Sequence, residues 1–162
     1  MHTFLPTKEP LKSYRTNSQS LKKIAEVASS LPKLLLTNKV QITIDSLNKK
    51  AFSINKILKE KNNDEINLAM SQLSFIAHAY IWGGLKPQPL LPEVIAEPWV
   101  KLANYLGRPP ILSYASYCLD NWYKINKQEP ISLNNVALIN NFLGGVDEDW
   151  FVTIHVCIED AA

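Results

Sequence analysis

The stretch from Asp64 to Gly84 constrains the fold more than any other part of this chain. Ile66, Ala69, Met70, Leu73, Ile76, Ala77, Tyr80 and Ile81 recur at helical spacing and form one wide apolar face. Asp64 stands at the expected cap, and Gly83 and Gly84 supply the stop that glycine commonly provides. A helix of this length and apolar width needs other elements to cover it.

The remaining segments are mostly helical too. Residues 1–17 are polar, contain Pro6 and Pro10, and predict an extended lead-in. Ser18 and Ser20 are cap candidates for a helix carrying Leu21, Ile24, Ala28 and Leu31. Pro32 is expected to end, kink or restart it, leaving Leu34, Leu35 and Leu36 as a short buried piece. A second helix is predicted from Asp45 to Lys61, with Leu47, Ala51, Ile54, Ile57 and Leu58 as its stripe. Pro87, Pro89 and Pro92 make a rigid loop. A helix with Pro98 near its start or at a kink then runs to Gly107. Pro109 and Pro110 separate it from a helix over Ile111–Tyr123, and residues 124–130 are loop. Val136–Leu143 fits helix or strand. Gly144 and Gly145 turn the chain, and a last helix begins near Trp150 and is still running at Ala162. Asp147, Glu148 and Asp149 place negative charge at its amino end. The expected class is all-α, with a multi-helical domain over residues 18–130.

Composition bounds the function. The 162 residues are 46% hydrophobic, which excludes a largely disordered chain and suits one ordinary domain. Two cysteines exclude a disulfide scaffold and fit a reducing, cytoplasmic setting. No apolar run reaches the ~20 residues that a membrane helix needs, and the first residues do not read as a signal peptide. Residues 1–63 carry a charge balance of +8 and residues 64–162 one of −6. The lysines are spread over helix-like segments, arginine is nearly absent and aromatics are few. The expected reading is a solvated lysine-rich face, not a nucleic-acid surface.

Few residues bear obvious chemistry. There is no glycine-rich phosphate loop, no CxxC and no HExxH. His2 is terminal, and His78 between Ala77 and Ala79 reads as structural. His155 lies in a strongly apolar helix, where a polar ring needs a partner. Phe151, His155 and either Ile158 or Glu159 share a face by the i, i+4 rule, and the phenyl ring beside the histidine is a candidate wall for a flat aromatic ligand; a structural role is the alternative. Tyr114, Tyr117 and Cys118 sit at i, i+3, i+4 and either line a pocket or serve as ordinary core aromatics.

Several ordered blocks add a resemblance. They are Ala79-Tyr80-Ile81-Trp82-Gly83, Leu91-Pro92 with Ile95-Ala96 and Pro98, and Pro109-Pro110-Ile111-Leu112-Ser113-Tyr114-Ala115 followed by Asn121-Trp122. Trp150-Phe151, His155, Glu159 and Ala161-Ala162 follow. From about residue 68 onward the chain resembles the haem-containing indoleamine 2,3-dioxygenases, of bacterial type. That resemblance implies a small helical domain, then residues 131–162 as the connection and first helix of a larger haem-binding helical domain. It implies haem b as cofactor, L-tryptophan or a related indole and O2 as substrates, and cleavage of the indole C2–C3 bond to N-formylkynurenine. Tyr114, Tyr117, Cys118, Phe151, Val152 and His155 fall at distal-pocket positions. Val152 stands where vertebrate members have an aromatic, and His155 where they have a small hydroxyl residue. His155 is expected to hydrogen bond the indole N–H and not to ligate iron. The proximal histidine and the substrate-carboxylate arginine are expected beyond residue 162; His78 and Arg108 match neither. The ending at Ile158–Ala162, with no helix-stop residue, implies an amino-terminal portion of a longer enzyme. A non-catalytic helical interaction module, or a relative oxidising another indole, is the alternative.

Overall fold

A computed structural model describes residues 4–162. Its order is α1 (Gln19–Leu36), α2 (Val40–Asp45), α3 (Asn55–Glu60), α4 (Asn63–Trp82), α5 (Glu93–Leu106), a π-helical turn (Ala115–Leu119), β1 (Trp122–Lys124), β2 (Val136–Leu138) and α6 (Val146–Ala161). The chain is helical apart from one small antiparallel hairpin, in which Trp122 faces Leu138 and Lys124 faces Val136.

The long apolar helix is the centre of the fold. Fourteen of the twenty residues of α4 are buried, and α1, α2, α3 and α5 pack around it. Asn62, two residues before the predicted cap, closes its amino end by accepting from the Glu65 amide. Gly83 ends it for want of space: a Cβ there would lie 2.4 Å from both the Ala79 carbonyl oxygen and Leu35 Cδ2.

Two predicted helices are corrected. The stretch from Asp45 to Lys61 is not one helix, because α2 ends at Asp45 and α3 begins at Asn55. Asn48 Oδ1 accepts from the Lys50 amide, and the Asn48 carbonyl accepts from Ala51, so a side-chain turn competes with the helix ladder. Phe52, Ile54 and Ile57 still reach the core from the turn and the short helix. The stretch Ile111–Tyr123 is helical only around the π-helical turn and then becomes β1. Asn121 redirects it: its side-chain amide donates to the Tyr117 and Asn140 carbonyls and its Oδ1 accepts from the Asn140 amide. That pairing aligns β1 with β2, so the ambiguous Val136–Leu143 contains a strand.

Smaller differences follow the same logic. Helix α1 continues through Pro32 to Leu36, whose side chain is exposed, and α6 starts at Val146, before Trp150. Pro98 lies inside α5. The lead-in has no regular structure from residue 4 to 17, as expected, but it is tied down. Tyr14 donates to Gln72 Oε1, while the Arg15 and Thr16 amides and the Thr16 hydroxyl donate to the buried Glu65 carboxylate. Leu5 is buried in a second apolar cluster with Cys118, Trp122, Val136, Val152 and Val156. That cluster sits between the hairpin, the π-helical turn and α6, and Tyr117 packs against both clusters. His2 lies outside the described residues.

Candidate functional site

A row of aromatic rings runs from the core to the surface of α6. Phe75, fully buried on α4, lies 4.7 Å from Phe142 and 5.5 Å from Tyr117, centroid to centroid. Tyr117 lies 5.8 Å from Phe151, and Phe151 lies 4.3 Å from His155. Tyr114 meets His155 edge to face at 5.9 Å. The inner end is anchored in the core, while Phe151 and Tyr114 are each 43% exposed. The row is therefore a half-open wall with a rigid back.

The fold positions these rings from four parts of the chain, with Phe75 supplied by α4. Phe151 and His155 come from α6 and share a face one turn apart. Tyr114 caps the π-helical turn and Tyr117 lies within it, and the wider winding changes which side chains share a side. Phe142 comes from the loop after β2, where the Glu148 carboxylate accepts from the amides of Phe142, Leu143 and Gly144. Cys118 and Val152 are placed differently. Both are fully buried in the second cluster, behind the exposed row.

The polar groups of the wall have defined roles. The His155 Nδ1 lies 2.6 Å from the Phe151 carbonyl oxygen, which can only accept. In the neutral ring Nδ1 therefore carries the proton, and Nε2 keeps its lone pair as an acceptor. The Tyr114 hydroxyl donates to Glu159 Oε1 at 2.9 Å. Burial first, then the hydrogen bond and charge of Glu159, push the Tyr114 phenol up to about 12. Tyr117 is likewise pushed up to about 12 by burial and by Glu148. Burial raises the Cys118 thiol to about 11, so it is not a poised nucleophile.

The other histidine is enclosed differently. His78 Nδ1 lies 3.0 Å from the Ser74 carbonyl oxygen, and its ring meets Trp99 edge-on at 6.0 Å. It lines an open apolar groove of about 450 Å³ with Leu35, Ala79, Trp82, Leu112 and Phe142. Arg108 pairs with Asp120 at 3.4 Å. Among the described residues no cluster of three or more His, Cys, Asp or Glu side chains could hold a metal ion. No described helix is long and apolar enough to cross a membrane.

The sequence does not place Phe75, Phe142 or Glu148 in this arrangement by itself, and it offers Glu159 on the face of Phe151 and His155 only as an alternative to Ile158. Glu148 and Glu159 did carry a signal, since they share the α6 face of Phe151 and His155 at i, i+3, i+7, i+11. Phe75 and Phe142 meet only through the tertiary fold.

Among the described residues the protein is helical apart from one hairpin, and it carries a half-open row of aromatic rings that ends at His155. Comparison with known proteins makes this specific. The family model for indoleamine 2,3-dioxygenase matches residues 1–162, and the chain belongs to that family. It is 38% identical over 164 residues to an indoleamine 2,3-dioxygenase of Saccharomyces cerevisiae, covering 98% of this chain and 35% of the yeast protein. It is 36% identical over 104 residues to mouse indoleamine 2,3-dioxygenase 2, covering 63% of this chain and 26% of that relative. For human indoleamine 2,3-dioxygenase 2 the identity is 30% over 139 residues, covering 85% of this chain and 33% of the human protein. The chain thus spans about a third of these relatives, which are fungal and mammalian.

Proposed function

We propose that this chain forms the amino-terminal, substrate-side part of a haem-dependent dioxygenase that cleaves the indole C2–C3 bond of tryptophan with O2. The product is N-formylkynurenine. Residues 18–130 form the small helical domain, and residues 131–162 lead into a larger haem-binding domain. One observation carries the reading: the Nδ1 proton of His155 is committed to the Phe151 carbonyl, which leaves Nε2 as an acceptor beside an aromatic wall. An indole offers what this wall lacks, a flat π surface with one N–H donor at its edge.

The residues present fit one side of a haem pocket. Phe151, Tyr117 and Tyr114 offer ring faces and edges to a flat partner, and His155 offers a hydrogen-bond acceptor. The rest of the haem site would be supplied elsewhere in the complete enzyme, while His78 stays paired with the Ser74 carbonyl and edge-on to Trp99. Haem b, when bound, supplies the iron that holds and activates O2. The chain's own residues bind and orient. Phe151 packs against the indole, His155 Nε2 accepts the indole N–H, and the apolar surroundings exclude water from the ring. Cys118 and Val152 support the wall from behind.

The reaction is tested by incubating the complete protein with haem, a reductant, tryptophan and O2. The expected result is N-formylkynurenine, and an enzyme that leaves tryptophan intact contradicts the proposal. His155→Ala should weaken tryptophan binding or turnover, and unchanged steady-state kinetics would remove the contact. Residues 1–162 alone should show no stoichiometric haem complex; a sharp Soret band at 1:1 would overturn the division of the pocket between two parts.

A further inference from the structure

We propose that Glu159 is a positioning residue of the indole site: its carboxylate fixes the Tyr114 ring, and that ring fixes the His155 imidazole. The inference rests on the reading of His155 given above. Glu159 lies one turn beyond His155 on the same face of α6. Its Oε1 accepts the Tyr114 hydroxyl across 45 residues of sequence at 2.9 Å. A hydroxyl donated to a carboxylate makes a charge-assisted bond, stronger than a bond between neutral groups. Tyr114 is 43% exposed, so packing alone leaves the ring room to turn. The bond removes that freedom.

The consequence falls on His155. Phe151 holds the imidazole through both its ring and its carbonyl. Tyr114 meets the imidazole edge to face, at 74° between planes. Without Tyr114 the imidazole has no second aromatic neighbour in the row. The Tyr114 hydroxyl is also unavailable as a donor to a ligand, because its hydrogen bond already goes to Glu159. Its phenol stays protonated throughout the neutral range, since burial and then Glu159 raise it. Tyr114 therefore acts through its ring, and Glu159 through Tyr114.

Three variants test this. Glu159→Ala removes the acceptor, Glu159→Gln keeps an acceptor oxygen, and Tyr114→Phe keeps the ring but loses the donor. In the complete enzyme Glu159→Ala should raise KM for tryptophan about fivefold with a smaller change in kcat, and Glu159→Gln should stay within about twofold. A second readout needs no haem. In the 162-residue chain labelled at histidine, the His155 ring resonances should shift in Glu159→Ala and Tyr114→Phe, and hold in Glu159→Gln. Unmoved His155 resonances in Glu159→Ala, or a Gln variant as disruptive as the Ala variant, would overturn the proposal. The two readings fail separately. Unchanged KM in His155→Ala, with a shifted His155 resonance in Glu159→Ala, removes the indole role and leaves the contact. A raised KM in His155→Ala, with an unmoved resonance in Glu159→Ala, removes the contact alone.

Discussion

Helices α4 and α6 are both rich in apolar residues, yet the fold uses them differently. In α4 fourteen of twenty residues are buried; in α6 three of sixteen are. Each carries a histidine whose Nδ1 meets the carbonyl oxygen four residues earlier. His78 is then walled by Trp99 and the apolar groove, whereas His155 sits in a half-open aromatic row. Apolar side chains in α4 hold the fold. In α6 the large apolar residues Trp150, Phe151 and Ile158 each remain exposed. Similar apolar content thus builds the core in one helix and stays partly open to solvent in the other.

That contrast can be broken in a defined order. Phe75→Ala on α4 should cost about 3–5 kcal/mol, because it empties a fully buried site and removes the back of the aromatic row. Urea unfolding with unchanged m-value checks it. Glu65→Gln should cost roughly 2–3 kcal/mol, since a buried carboxylate accepting several hydrogen bonds becomes a neutral amide. Burial of Glu65 acts to raise its pKa, but the hydrogen bonds from Thr16 and Arg15 outweigh it and hold the carboxyl below its usual range. A depressed folded-state value stabilises above the unfolded pKa of about 4.3 and is lost as pH falls through the folded value. Wild-type stability should therefore drop in that acidic window, and the Gln variant should show a flatter profile there. Phe151→Ala on α6 should change stability by about 1 kcal/mol, far less than Phe75→Ala, because the ring is only partly covered. It should nevertheless raise KM for tryptophan in the complete enzyme about tenfold. A large loss of stability with unchanged KM would reverse the assignment of the two helices.

Legibility in the sequence follows the range of the interactions. Helices α4 and α5 could be read because local punctuation, Gly83 and Gly107, agrees with their apolar spacing. The stretch Asp45–Lys61 misled because its stripe is real but Asn48 turns the chain. The stretch after Pro110 misled because Asn121 finds its partner at Asn140, beyond any local window. Nothing local marks Leu5 as a core residue of the second cluster. At the site, the neighbouring relation of Phe151 and His155 was legible from i, i+4 spacing. The same spacing grouped Cys118 with Tyr114 and Tyr117, but the π-helical turn carries Cys118 into the interior. The pairing of Glu159 with Tyr114 was not legible, because the two lie 45 residues apart in sequence.

The central claim is that His155 Nε2 accepts the indole N–H. It is tested most directly by comparing tryptophan with tryptophan methylated at the indole nitrogen, in the complete wild-type enzyme and in His155→Ala. A neutral hydrogen bond of about 1 kcal/mol predicts that His155→Ala weakens tryptophan binding roughly fivefold. Binding of the methylated analogue, which has no proton to donate, should stay nearly unchanged. Equal effects on both ligands, or none on either, would contradict the account.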